Sequence, residues 1–478
     1  MGNAPLGSPV PLLRPDGAGE APRRAAVASA QELVAAARLD GQVGFVVAEA
    51  RTGRVLEAMQ PDLPLPPASV NKAITALYAL ESLGPEHRFV TRLVATGPIR
   101  DGRIEGDLVL LGGGDPGLSS DDLGDMGAQL KERGVRAIAG RFLVHGSALP
   151  AMERIASDQP VQVSYNPALS GLNLNYNRVH FQWSRSGQGY EVVMDAPAQR
   201  YRPAVSIARM SVVDRSLPVY TYSNSDATES WTVASRALGN EGSRWLPVRH
   251  PDLYAGDVFR TIAAYHGITL PAAERAPAQE MRGGGLVEHR SPPLREIVEG
   301  MLRYSTNVTA EVLGIAAAQA RDLRPRSLAA SGRMMGEWAE ARFGMRDSEL
   351  RDHSGLSDGS RLSAADMVRF LVGARVDGAL HPLLREHRLL DGNGNLLANP
   401  PAEVVAKTGT LNFVSGLGGY IIPPDGPELA FAFFAADMSS RDAIPPEERE
   451  RPPGARYWAG RARNLQQRLI GRWLQVHA

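Results

Sequence analysis

The spacing of apolar residues changes character twice along the chain, and each change marks a different kind of element. Residues 41–59, GQVGFVVAEARTGRVLEAM, read as an apolar strand, an Arg-Thr-Gly turn and a second strand, which predicts a hairpin. Immediately after it, PPASVNKAITALYAL (66–80) sets Ala73, Ile74, Leu77, Tyr78 and Leu80 at helical spacing. The two prolines bias the approach toward extended backbone and leave Ser69 as the expected cap of that helix. From about residue 92 to 285 the runs shorten and are broken by Gly, Pro and Asn, as in GDLVLLGGGDPGL, GLNLNYNRVHFQW and YEVVMDAP, which predicts β-rich material. LLGGGDPGL lacks the lysine of a phosphate-binding loop and reads as a tight turn after a strand.

Beyond residue 285 helical spacing returns in PPLREIVEGMLRYSTNVTAEVLGIAAAQA, where the polar YSTN interrupts it. EVVAKTGTLNFVSGLGGYII predicts strand, glycine-rich turn and strand, and ELAFAFFAADM a buried strand. In the tail, Trp458, Leu465, Leu469, Trp473 and Leu474 share roughly one helical face, which predicts a terminal helix packed on the sheet rather than one lying on a membrane. The first residues, MGNAPLGSPVPLLRPDGAGEAPRR, are rich in Pro and Gly without an apolar core segment and read as a flexible leader over 1–28.

Composition narrows the chemistry. The 478 residues exceed one ordinary domain, and 43% hydrophobic with 22% charged residues is globular, so two or three domains are expected. A net charge of +0 gives no support to nucleic-acid partners or to general membrane attraction, so an anionic substrate must be attracted locally. No apolar run is long enough to span a membrane. Cysteine is absent and no HExxH occurs, which excludes a disulfide framework, a thiolate nucleophile and cysteine-bound zinc; no metal and no cofactor are expected.

Lysine is the informative residue: only Lys72, Lys131 and Lys407 stand against 49 arginines. Arginine stays protonated, whereas an ammonium sheds its proton when buried or crowded by another cation. Lys131 lies in the polar run QLKERG, but the other two occupy more suggestive settings. In Ser69-Val70-Asn71-Lys72, a lysine one helical turn beyond a serine lies on the same face and within reach of its hydroxyl, the arrangement an acyl-transferring serine needs. A second cation, Lys407, would lower the proton affinity of Lys72. Ser305 is suited to relay a proton to a leaving nitrogen, and Asn307 to hold an amide while orienting Lys72. Lys407 with the hydroxyls of Thr408 and Thr410 is suited to a carboxylate. Gly409 admits a ligand backbone along the strand edge, and the backbone N–H groups of Ser69 and Thr410 are the expected oxyanion donors.

The three groups Ser69-x-x-Lys72, Ser305-x-Asn307 and Lys407-Thr408-Gly409, in this order, resemble the signature set of the penicillin-recognising serine acyltransferases. More than two hundred residues separate the first from the second. The chain is therefore similar to the low-molecular-mass class C penicillin-binding proteins, the D-alanyl-D-alanine carboxypeptidase/endopeptidase family. GDLVLLGGGDPGL, STNVTAE and DHSGLS also resemble segments of that family, with His353 standing where glycine is usual and Thr306 where a small or acidic residue is usual.

The resemblance implies an α/β fold: a transpeptidase/β-lactamase-like antiparallel sheet flanked by helices, with β-rich inserted domains. It implies a catalytic domain from 29–92 and 286–478, an inserted domain from 93–165 and 240–285, and a nested domain from 166–239. Ser69 is then the nucleophile, Lys72 the general base, Ser305 and Asn307 the second motif, and Lys407, Thr408, Gly409 and Thr410 the third. The implied activity is a serine DD-peptidase acting outside the cytoplasmic membrane on peptidoglycan stem peptides and acylated by β-lactam antibiotics. Two alternatives are a β-lactamase or esterase on the same scaffold, and a non-catalytic cell-wall-binding module.

Overall fold

The computed structural model describes residues 27–225, 228–277, 284–391 and 394–478, so the expected leader lies outside the described residues up to residue 26. The expected hairpin forms from β1 (Gln42–Glu49) and β2 (Val55–Met59), with a bulge between Val47 and Ala48. Four later strands complete a six-stranded antiparallel sheet: β3 (Arg385–Glu386), β4 (Glu403–Leu411), β5 (Val414–Ile422) and β6 (Leu429–Ala436), in the order β3-β4-β5-β6-β1-β2. β1 pairs with β6 from Gln42↔Ala436 to Glu49↔Leu429, so an early strand of the chain lies against a late one.

The sheet is covered on both faces, which is why β6 reads as an unbroken apolar run rather than an alternating one. Ala430, Ala432 and Phe434 point into one core, whereas Leu429, Phe431, Phe433 and Ala435 point into the other. Each fully buried phenylalanine contributes roughly 1.5–3 kcal/mol relative to exposure. The second core is closed by α1 (Ala30–Ala37) and by the terminal helix, whose Trp458, Leu465, Leu469 and Trp473 are buried as their spacing predicts. The first is closed by α2 (Asn71–Leu83), α3 (Leu294–Tyr304), α4 (Asn307–Ala320), α5 (Leu328–Phe343) and α6 (Ala364–Asp377); the terminal helix, Ala455–His477, is α7. All residues of α2 from Asn71 to Leu80 are buried, since sheet and helices surround it.

Between α2 and α3 the chain builds a separate apolar core that runs from Leu93 to Val287. It contains a five-stranded sheet in the order Ala273–Arg275, Phe142–His145, Leu108–Leu111, Val90–Ala95, Gly284–Arg290, and three three-stranded sheets. The strand Glu241–Pro247 pairs with Arg178–Ser186 and so joins the sheet of the segment that precedes it. The turn expected in LLGGGDPGL follows the strand Leu108–Leu111, with Gly114 at φ +87. This region is tied to the loop before α7: Arg244 pairs with Glu450 at 2.8 Å, Gln162 donates to Glu450 at 2.7 Å, and Arg449 donates to the Asp158 carbonyl at 2.8 Å.

Candidate active site

The reactive turn is not the simple helix cap that the sequence predicts. Pro67 is helical rather than extended (φ −74, ψ −18), Ala68 takes a left-handed φ of +45, and Ala68–Val70 form a 3-10 turn that runs into α2. Val70 occupies the cap position with no side-chain hydrogen bond, so Ser69 caps nothing. Its hydroxyl is therefore free for another partner, and the turn that carries it, with Ala68 in the left-handed region, lies against β4. Gly409 makes that approach possible: a Cβ there would lie 2.7 Å from the Pro67 carbonyl oxygen and 3.0 Å from the Ser69 nitrogen.

The partner of the Ser69 hydroxyl is Lys72. Lys72 is fully buried, and its Nζ lies 2.9 Å from Ser69 Oγ, 2.8 Å from Asn307 Oδ1 and 2.8 Å from the Ser354 carbonyl oxygen. Two of these three neighbours are carbonyl oxygens and accept only; the serine hydroxyl also donates. A neutral amine has two hydrogens and one lone pair. It satisfies this site by donating to Asn307 and Ser354 and turning its lone pair toward the Ser69 O–H. Burial first, and then the charge of Lys407, holds the proton affinity of Lys72 well below the usual lysine range, against the pull of Asp352 and Glu311.

Ser305 and Asn307 sit at the break between α3 and α4, as the interruption of helical spacing predicts. Ser305 is in the left-handed region (φ 58, ψ 38) at the end of α3, and Asn307 opens α4. The Asn307 amide nitrogen donates to the Tyr165 carbonyl at 2.9 Å, which fixes its oxygen toward Lys72. Ser305 Oγ accepts from Lys407 Nζ at 3.0 Å, and the same ammonium donates to the Thr408 carbonyl at 2.9 Å. Burial, then the nearby Arg385, lowers Lys407 to about 8.

The strand register decides what β4 offers. β3 pairs only with Val405 and Ala406, and His387 N–H donates to the Val404 carbonyl at 2.7 Å. Backbone groups alternate along a strand, so Thr408 and Thr410 direct N–H and C=O to the same side, which beyond Ala406 has no strand partner among the described residues. Side chains alternate too. Lys407 and Gly409 face α2, whereas Thr408 and Thr410 leave on the α7 face and share the open edge with Lys407. Ser69, Tyr165, Ser305, Asn307, Thr410 and Arg441 are among the walls of a cleft of about 450 Å³ at this edge.

Sequence reasoning missed the polar layer beneath. Glu311, fully buried in α4, accepts from the His353 and Ser354 amides at 3.1 and 2.9 Å. Asp352, also fully buried, accepts from Ser360 Oγ at 2.7 Å and from the Ser357 amide at 2.9 Å. These two carboxyls hold the 352–357 loop whose Ser354 carbonyl caps Lys72. Burial raises both, Glu311 to about 8 with help from the charge of Asp352. The available signal was a lone acid inside the apolar helical run VTAEVLGIAAA. His353, the departure from the expected glycine, is buried, contacts Ser331 Oγ at 2.8 Å and is pushed down to about 3 by burial, which keeps it neutral. It fits because residue 314 is glycine: a Cβ there would lie 2.1 Å from the imidazole.

Comparison with known proteins agrees with this geometry. Residues 26–450 match the D-Ala-D-Ala carboxypeptidase 3 (S13) family. The chain belongs to that family. This serine DD-peptidase is 28% identical over 463 residues to the D-alanyl-D-alanine carboxypeptidase of an Actinomadura species, with 85% of this chain and 81% of the relative covered. Its fold matches that of penicillin binding protein 4 (dacB) from Haemophilus influenzae with a TM-score of 0.74 at 21% identity, covering 92% of this chain and 99% of that one. A complex of the same Haemophilus protein with a β-lactam matches with a TM-score of 0.71 at 22% identity, over 92% and 99% of the two chains. No helix among the described residues is long and apolar enough to cross a membrane.

Proposed function

We propose that Ser69 is the acylated nucleophile of this DD-peptidase and Lys72 its general base. The observation that carries this reading is the buried Lys72 amine, with two carbonyl acceptors and one serine hydroxyl as its neighbours. Ser69 Oγ attacks the penultimate D-alanine carbonyl as its proton passes to Lys72 Nζ. The N–H groups of Ser69 and Thr410 face the oxyanion that forms. As the C–N bond breaks, Ser305 Oγ delivers a proton to the departing amine, and Lys407 restores it through their shared hydrogen bond. Lys407, Thr408 and Thr410 receive the terminal carboxylate around the open edge of β4, with Gly409 leaving room for the peptide backbone. Water then attacks the ester and its proton returns through Ser305 to Lys407, while the acyl C–O bond to Ser69 breaks as Lys72 gives its proton back to Oγ.

The substrates in this reading are peptidoglycan stem peptides ending in D-alanyl-D-alanine or joined through D-alanine. β-Lactams acylate the same serine, a view supported by the β-lactam complex of the Haemophilus relative. Such substrates place the protein outside the cytoplasmic membrane. In the same reading 29–92 and 286–478 are the catalytic domain, and 93–165 with 240–285, and 166–239, are inserted and nested domains.

The test is to incubate the protein with benzylpenicillin and with a diacyl-D-alanyl-D-alanine peptide, and to follow adducts by mass spectrometry and released D-alanine. A Ser69 adduct and D-alanine release are expected. Absence of an adduct on folded protein, or its persistence in Ser69→Ala, overturns the assignment. The acylation rate should rise with pH as Lys72 loses its proton and fall through about 8 as Lys407 loses the charge that holds the carboxylate.

A further inference from the structure

Beside the catalytic cleft lies a larger, half-open cavity of about 780 Å³ between β4 with the start of β5, the segment after β3, and α7. That volume lies in the range of sites that enclose a sizeable ligand, far more than one departing D-alanine requires. Thr408, Gly409 and Thr410, with Ser415 and Gly416, form its wall on the strand side, and Thr410 and Arg463 line both this cavity and the cleft that holds Ser69, so the two adjoin. Along β4 the order is informative. The catalytic cleft extends toward Leu411 and Asn412, and the larger cavity extends the opposite way, to Thr408. A peptide lying across Ser69 therefore has its acyl part on one side and its departing part on the other.

The walls are cationic. Arg388, Arg463 and Arg468 line the cavity, and their side chains make no hydrogen bond or ion pair among the described residues. Arg375, Arg472 and Arg342, by contrast, are held by carboxylates: Glu428 at 2.7 Å, Glu57 at 3.0 Å and Asp377 at 2.6 Å. Asp391, the one carboxylate among the described wall residues, accepts from the Asn395 amide at 2.8 Å within its own loop. Gln467 is likewise occupied, its oxygen by the Leu390 amide at 3.1 Å, so guanidinium groups supply the unmatched polarity.

We infer that this cavity is a leaving-group subsite that receives an anionic peptide, the second stem peptide released when a D-alanyl cross-link is cut, with its free carboxylates on Arg388, Arg463 and Arg468. The inference rests on the assignment of Ser69 as nucleophile and extends it to the class of leaving group. In the step concerned, the ester bond to Ser69 forms as the D-alanyl amide bond breaks, and the departing peptide amine takes its proton from Ser305. Guanidinium groups suit carboxylates because they donate in a planar fork and remain charged.

The experiment compares two probes on the full chain: a diacyl-D-alanyl-D-alanine tripeptide, whose leaving group is D-alanine, and a synthetic D-alanine-cross-linked peptide dimer carrying free carboxylates. In the double variant Arg388→Glu/Arg468→Glu, kcat/KM for the dimer should fall about tenfold or more, while D-alanine release and benzylpenicillin acylation stay within about twofold. Added salt should weaken dimer cleavage by the unmodified protein and, by screening the repulsion of the new carboxylates, partly restore it in the Arg388→Glu/Arg468→Glu variant. Arg388→Gln/Arg468→Gln, which adds no negative charge, should give an intermediate loss. Equal losses for both probes, or an unchanged dimer rate, overturn the subsite. Absence of a penicillin adduct in the unmodified protein overturns instead the nucleophile assignment on which it rests.

Discussion

Buried charge occurs in both halves of this molecule, and its surroundings differ. In the inserted region, Arg249 donates to the carbonyls of Glu153, Asn166 and Val161 at 3.2, 2.7 and 2.8 Å, and Glu229 accepts from the Arg249 and His250 amides at 2.7 and 2.9 Å. Each partner is backbone, and no nucleophile or cleft is involved, so the cluster locks a corner of the fold. Around the sheet, Lys72 likewise meets two carbonyl oxygens, but its third neighbour is a serine hydroxyl at the floor of an open cleft. Burial depresses Lys72 and raises Glu229 by the same physics. Desolvation alone therefore does not set a candidate catalytic group apart; the serine hydroxyl among the partners of Lys72 does.

The sharpest way to break this contrast is Lys72→Arg, which keeps the charge and removes the ability to surrender a proton. Acylation of Ser69 by benzylpenicillin, read by mass spectrometry, should slow by roughly 10²–10⁴-fold, the usual worth of a general base. An undiminished rate removes Lys72 from that role.

Next in size is the support beneath the lysine. Asp352→Asn replaces an acceptor-only carboxylate with an amide that must face the Ser357 N–H or the Ser360 hydroxyl wrongly, at a cost of about 1–3 kcal/mol in denaturant unfolding. It also removes a charge that favours the ammonium form of Lys72, so the acidic limb of the acylation profile should move to lower pH. A stability loss with an unmoved limb would make Asp352 purely structural, like Arg249.

Gly314→Ala pushes a methyl into His353 and should cost about 1–3 kcal/mol, largely recovered by His353→Ala in the double variant. Failure of the second change to rescue would show that the glycine serves something other than the imidazole.

The smallest effect concerns the inserted region. Glu229 is raised to about 7 when folded, above its unfolded value, so the folded state holds the proton longer. That contribution is fully present below the unfolded carboxyl pKa and is lost as pH rises through about 7, so stability should decline between pH 5 and 8. Glu229→Gln should flatten that slope in melting experiments and leave penicillin acylation unchanged. A change in acylation would join the two regions functionally.

The local elements were legible because their signals are local. The hairpin at 41–59, the helix after Ser69, the break at 304–307 and the amphipathic tail all follow from periodicity, and all form. In this arginine-rich chain, Lys72 and Lys407 are buried beside serine hydroxyls, whereas Lys131 is exposed at a helix end. The helix-cap reading of Ser69 failed because capping statistics see only neighbouring residues, and the turn is instead drawn out of line by contact with Gly409, far along the chain.

What the sequence determined by itself was which residues are candidates for reactive chemistry and which elements hold them, because residue type and spacing set proton affinity, nucleophilicity and local backbone preference. Only the tertiary structure decided that Lys72 lies between Asn307 and Ser354, that Glu311 and Asp352 hold the loop beneath it, and that Lys407 and Thr408 meet around one strand edge. The two Lys72 contacts join residues more than two hundred positions apart, and burial, strand register and desolvation exist only once the β1–β6 pairing has brought the two ends of the chain into one sheet.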